Sequence, residues 1–221
     1  ACGFKYAVVS GSSIAINETT GEITTREVGR SVVRITASNS GVTAECTVEV
    51  KPAPESIAFA GTTLKIGVGD TLDLSQNGYI VCTPADSAAG YTFKTSNKGY
   101  VSVTAAGVIK GVKKGSAKIT ATSHNGKTAV LTVKVYDKPK GVAFAQGSYT
   151  LGIGMSARTA VKFTPASSAY SLCSYSIADP EIATVDANGA ITAVAAGDTL
   201  LTVETTNGKR NTAVVHVLPA P

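Results

Sequence analysis

Two histidines, His124 and His216, are the whole imidazole complement of the chain, so base or triad chemistry would have to use one of them. His124 falls in the turn sequence Ser123-His124-Asn125-Gly126, and His216 alternates with Val215 and Val217, which puts it on the outward face of a strand. Both read as solvated surface residues. The carboxylates Asp70, Asp73, Asp179, Glu181 and Asp186 each stand singly in turn sequences. Asp186, Asn188 and Gly189 open like a calcium loop, but the later ligands and the closing Glu do not follow. Gly67/Gly69 and Gly152/Gly154 are followed by no helical pattern, so they lack the helix N-terminus that a phosphate loop needs. The sequence therefore assigns no catalytic, cofactor-binding or metal-ligating residue, implies no cofactor, and predicts a non-enzymatic chain. Tyr79, Tyr100 and Tyr170 are the aromatic residues that could grip a glycan or a host protein from loops, and each could equally line a core edge. No binding residue is assigned.

The four cysteines, Cys2, Cys46, Cys82 and Cys173, contain no CxxC pair and so no zinc pattern. Cys46 is in phase with Ala44, Val48 and Val50 and reads as a core residue; Cys82 stands where a later repeat has Phe163 and reads the same way. A Cys2–Cys46 disulfide is compatible with an oxidising compartment, which spacing alone does not decide. Asn17-Glu18-Thr19 is a glycosylation sequon. Asp70-Thr71-Leu72, Asp86-Ser87-Ala88 and Asp198-Thr199-Leu200 resemble a bacterial O-glycosylation motif, two of them inside a recurrent Gly-Asp-Thr turn.

The elements that position these residues are strands. Val, Thr, Ile, Ser and Gly dominate, aromatic residues are 6% with no Trp, and no 3.6-residue apolar period exceeds a turn. No apolar run approaches the length that spans a bilayer as a helix. The net charge of +5 comes from scattered Lys and Arg without interleaved aromatics, which argues against nucleic acid and for solubility and edge protection. The chain opens at Ala1 with no signal layout and reads as a mature or excised segment.

A repeat organises the rest. Gly107, Gly115 and Gly126 recur as Gly189, Gly197 and Gly208, all displaced by 82 residues, and Gly21, Gly29 and Gly41 precede the first set by 86, 86 and 85. The upstream half recurs only twice, with Ala58-Phe59-Ala60 matched by Ala143-Phe144-Ala145 and Thr83-Pro84 by Thr164-Pro165. Proline-bearing linkers at residues 51–54 and 137–140 stop the strands between copies. Two full modules over residues 55–136 and 140–218 are expected, with residues 1–51 holding the later half of a third. Ala129, Leu131, Val133 and Val135 alternate with Thr128, Val130, Thr132 and Lys134, and Asn125-Gly126 and Asn207-Gly208 are hairpin turns. This predicts an all-β fold of tandem immunoglobulin-like Greek-key sandwiches, about seven short antiparallel strands in each, the first incomplete.

The run from Gly69-Asp70-Thr71-Leu72 through Thr83-Pro84, Phe93, Val101, Gly107, Gly115 and Val133-Lys134-Val135 resembles the group 2 bacterial immunoglobulin-like domain. Tyr175, Asp179-Pro180, Val185, Asn188-Gly189 and Gly197 repeat the resemblance. The family's usual Trp is Phe93 or Tyr175 here, and Met155 replaces the Asp of the Gly-Asp-Thr turn. The resemblance implies a secreted or bacterial-surface setting, as in intimin- and invasin-like adhesins, or alternatively a phage virion, and it carries over no catalytic residue. It implies a stalk, fibre or adhesin segment; the alternative is a module that binds a glycan or host protein. Neighbouring subunits are a candidate partner, because residues 1–51 lack the strands that begin the other modules. Either preceding strands outside this sequence or a strand from a neighbouring subunit would complete them. An open edge is then expected, and a closed, self-sufficient sandwich over residues 1–51 would contradict the alignment.

Overall fold

The computed structural model describes residues 3–76 and 78–219, and these contain strands and turns with no helix. The first module is β1 (Phe4–Ser10), β2 (Ile14–Ile16), β3 (Ile23–Thr25), β4 (Gly29–Ala37) and β5 (Thr43–Val50). The second adds four strands ahead of that set: β6 (Ser56–Phe59), β7 (Thr63–Gly67), β8 (Thr71–Asp73) and β9 (Ile80–Thr83). It continues with β10 (Tyr91–Thr95), β11 (Val101–Val103), β12 (Val108–Gly111), β13 (Gly115–Ser123) and β14 (Thr128–Tyr136). The third repeats all nine, as β15 (Gly141–Phe144), β16 (Ser148–Gly152), β17 (Ser156–Arg158), β18 (Val161–Thr164), β19 (Cys173–Ile177), β20 (Ala183–Val185), β21 (Ala190–Ala193), β22 (Gly197–Thr205) and β23 (Arg210–Leu218).

Each full module is a sandwich with one topology. Its larger sheet has the order β10-β13-β14-β7 in the second module and β19-β22-β23-β16 in the third. The smaller sheet is β11-β12-β8, or β20-β21-β17, and a separate pair, β6-β9 or β15-β18, completes the module. The alternation read from the sequence sets which face is buried: Leu131, Val133 and Val135 are 4%, 0% and 3% exposed, against Ile119 at 0% on the facing register of β13. Thr128, Val130 and Lys134 lie on the wet face.

The strand directions depart from the expected antiparallel pairing at one edge. β7 runs parallel to β14, with Thr63 to Gly67 opposite Thr132 to Tyr136, and β16 runs parallel to β23 in the same way. Alternation specifies a face but not a direction, so an opening strand that crosses to the second sheet's edge is invisible to it. Among the described residues, the first module contains the counterparts of β10 to β14 and none of β6 to β9: its sheets are β1-β4-β5 and β2-β3. β1 is a strand the repeat alignment does not assign.

Candidate functional site

The residues with chemical capacity are dispersed. His124 is exposed in its hairpin turn. His216 sits opposite Asp198 across β22 and β23, its Nδ1 2.8 Å from the carboxylate, with the Asp198 side chain largely in solvent and that of His216 half-buried. The Asp186 carboxylate accepts the Ala190 and Asn188 N–H groups at 2.8 Å each, and the Ala190 bond first holds its pKa below the usual range. The Asp73 and Asp179 carboxylates likewise close turns, accepting Ser75 N–H at 2.9 Å and Glu181 N–H at 3.0 Å. Among the described residues no three His, Cys, Asp or Glu side chains gather into a metal-binding group. The hydroxyls of the O-glycosylation-like motifs differ in access: Thr71 is exposed, whereas Thr199 is 5% exposed with its Oγ1 accepting Asp179 N–H. Ser87 Oγ is also buried. The Asn17 carboxamide is exposed and accepts Thr19 and Thr20 N–H at 3.0 Å.

Asp70 is the exception: it closes a turn, as the sequence suggests, and its carboxylate also meets donors from another module. Its side chain is 1% exposed, in the turn after β7. One carboxylate oxygen accepts Gly67 N–H at 2.8 Å and Leu172 N–H, from the third module, at 2.7 Å. The other accepts the Thr206 hydroxyl and, at 3.4 Å, the Ser171 hydroxyl. Ser171 and Thr206 are bonded to each other at 2.8 Å. A buried carboxylate is tolerated only when its lone pairs are filled, and here the third module fills most of them. Around this clasp, Asn207 Nδ2 donates to the Pro139 carbonyl at 2.9 Å and Tyr170 N–H to the Asp137 carbonyl at 3.1 Å. Tyr170 packs on Tyr136 and Phe163 at centroid distances of 6.0 and 5.5 Å. Gly67 approaches so closely that a Cβ there would lie 2.2 Å from the Tyr170 carbonyl oxygen. Burial, and secondarily the Asp70 charge, pushes the half-buried Cys173 thiol up to about 11, and burial also raises Tyr170. The copy of Asp70 in the third module is Met155, 57% exposed, and that contrast between copies was the sequence signal for the clasp.

The first module carries the second feature. Cys46 occupies the position of Leu131 and Ala213, which are 4% and 2% exposed, yet Cys46 is an exposed free thiol. Its assignment to a core is therefore corrected: the strands that would bury it are not among residues 1–51. The proposed Cys2 partner lies outside the described residues. Cys82 is half-buried, as is Phe163 at the matching position. Ile23 shows the same loss on the other sheet, being 43% exposed where its counterparts Ile109 and Ile191 are at 0%. Those two pair with Leu72 of β8 and Ala157 of β17, strands with no equivalent here. Tyr79, Tyr100 and Tyr170 form no common exposed platform. Tyr79 lines an apolar pocket of about 240 Å³ with Phe59, Leu64 and Leu131, Tyr100 lies over Gly115, and Tyr170 is in the joint.

Two stretches, residues 53–133 and 140–217, match the model of the bacterial Ig-like domain, group 2. The chain belongs to that family. An uncharacterised protein of Clostridium acetobutylicum is 31% identical over 129 residues, which is 58% of this chain but only 13% of that protein's length. Among solved structures, Drosophila N-cadherin domains 1–4 align over 100% of this chain and 67% of theirs, at 17% identity and a TM-score of 0.32. The surface-layer protein SbsC, domains 1–6, aligns over 99% of this chain and 50% of its own, at 14% identity and a TM-score of 0.33.

The two bacterial Ig-like modules and the module ahead of them share one device at the aromatic position. Tyr6, Phe93 and Tyr175 each lay a ring against a positive-φ glycine, respectively Gly21, Gly107 and Gly189, where a Cβ would come within 3.0 Å of the ring. The ring and the turn are thereby specified together. It explains why these glycines keep their spacing while the aromatic identity changes.

Proposed function

We propose that this segment is a non-enzymatic structural or adhesive repeat, secreted or carried on a bacterial surface, whose second and third modules are fastened so that the pair behaves as a stiff spacer. The supporting observation is the Asp70 clasp. Hydrogen bonds to a charged acceptor contribute roughly 1.5–3 kcal/mol each. Several directional bonds converging from the third module on one buried carboxylate oppose hinge motion in every direction, which a proline linker alone does not. A stalk or fibre needs such joints, and an accessory module on a flexible tether does not.

Asp70→Ala in the full chain tests this reading, with the rotational diffusion of each module followed by amide ¹⁵N relaxation. The second and third modules of the unaltered protein should tumble with one correlation time, and the variant's should separate into two shorter ones. Independent tumbling already in the unaltered protein, or no change in the variant, would remove the support.

A further inference from the structure

We propose that the outward face of the second module's four-stranded sheet docks an acidic polysaccharide, a sugar polymer bearing carboxylates on successive residues.

The charge of the chain is unevenly placed. Residues 55–136 hold nine lysines, no arginine and four carboxylates, a net of +5, and the segments on either side each sum to zero. Lysines scattered along the sequence are gathered by the fold. Lys94, Lys118, Lys134 and Lys65 lie one on each strand of the β10-β13-β14-β7 sheet. Each adjoins an inward residue, respectively Phe93, Ile119, Val133 and Ile66, so all four side chains leave the same face, and all four are exposed.

The other modules balance this face. The cross-strand pair beside Gly29 is Arg30 with Glu49, and the pair beside Gly197 is Asp198 with His216, joined at 3.1 and 2.8 Å. Beside Gly115 the same pair is Ser116 with Lys134. On its other side Lys134 faces Lys65, where His216 faces Thr150. Among the described residues none of the four lysines forms an ion pair.

Like charges directly opposite one another destabilise a sheet. The topology does not require them, since the third module keeps it with Ser176, Leu200, His216 and Thr150 at these positions. Edge protection accounts for the lysines on β7 and β10, the two edges of the sheet, but not for Lys118 and Lys134 on its central strands. A partner that supplies the missing negative charge accounts for all four.

The face also selects the kind of polyanion. Its charges step across strands about 4.8 Å apart, close to the length of one pyranose residue. Thr63, Thr120 and Thr132 stand between them and offer hydroxyls to a sugar's own. Tyr136, the aromatic side chain nearest Lys134 on this face, is packed on Tyr170 and gives bases no platform, and no arginine is present to fork onto phosphate. The choice of a polysaccharide rests on the surface setting proposed above. The Asp70 joint contributes nothing to this face, so loss of binding and loss of stiffness are read separately.

The test presents polygalacturonate to the full chain and follows binding by biolayer interferometry, with neutral dextran as the control. Binding should saturate, its logarithm should fall linearly with the logarithm of salt between about 50 and 200 mM, and dextran should not bind. Lys65→Glu with Lys134→Glu should weaken it about tenfold or more. Lys98→Glu with Lys110→Glu lowers the net charge equally away from this face and should change it less than about twofold. Lys65→Thr, which copies Thr150, should weaken binding without lowering the melting temperature, so the loss is not one of folding. No saturable binding, or equal losses from the two double variants, would overturn the proposal. So would tighter binding to single-stranded DNA or to phosphatidylglycerol vesicles, which would assign the face to nucleic acid or to a lipid surface.

Discussion

At the scale of single residues, solvent access separates side chains that the repeat pattern treats alike. Asp70 and Met155 occupy one position in two copies, and only Asp70 meets hydroxyl and amide donors from a neighbouring module. Alternation locates such a residue in a turn but says nothing of a partner 102 residues away. Cysteines show the same limit. Phase with Val48 and Val50 gave Cys46 its core reading, and the pattern was right about the face but blind to the missing cover. Thiol chemistry should therefore divide sharply. Cys173, with its pKa raised from 9.0 to about 11 by burial and then by Asp70, holds roughly a hundredfold less thiolate at pH 8 than an ordinary thiol. Alkylation followed by mass spectrometry should label Cys46 promptly and Cys173 at least tenfold more slowly. Comparable rates would contradict the placement of one or the other. The raised pKa also fixes a sign for stability: the folded state holds this proton more tightly. Its contribution is whole below pH 9 and is lost as the pH rises through about 11, so Cys173→Ser should flatten the alkaline fall in melting temperature.

Elements were legible where they repeat. The hairpin β13-β14 was readable from Ile119, Leu131, Val133 and Asn125-Gly126, because period-two burial and turn chemistry are both local. The parallel pairing of β7 was not, since neither its partner nor its direction leaves a mark on neighbouring residues. β1 escaped the alignment because only Tyr6 of its residues has an aromatic counterpart in both other modules, Phe93 and Tyr175. The ring-on-glycine device is what ties such a strand to the turn that follows it. Gly107 has φ +93°, and a Cβ there would lie 2.6 Å from the Phe93 ring. Gly107→Ala should cost about 1–2 kcal/mol for the backbone conformation alone, plus the displacement of a ring that is 9% exposed. Urea denaturation of the second module should register that loss with the slope unchanged. A substitution within about 0.5 kcal/mol of neutral would show that the turn relaxes freely and the device is not a constraint.

Over the whole molecule the question is how far each sandwich depends on the next. The second module has its own closed core, with Ile66, Ile109, Ile119 and Val133 all at 0% exposed. Residues 55–136 expressed alone should therefore fold and melt cooperatively. The clasp adds a term the isolated module cannot have. Without the third module Asp70 keeps its Gly67 bond and loses Leu172, Ser171 and Thr206, and Tyr136 loses Tyr170. Each kcal/mol withdrawn from a domain of this size lowers its melting temperature by about 4–8 °C. Residues 55–218 should thus hold the second module at a higher melting temperature than residues 55–136 do. The cause is separable by a cycle with Asp70→Ala. In the two-module chain that substitution should bring the second module down toward the melting temperature it has alone. In residues 55–136 it should change little, because the partners that make Asp70 consequential are already gone. Equal losses in both backgrounds would mean that Asp70 serves only its own turn. The coupling between the modules would then rest on the aromatic contacts of Tyr136, Phe163 and Tyr170.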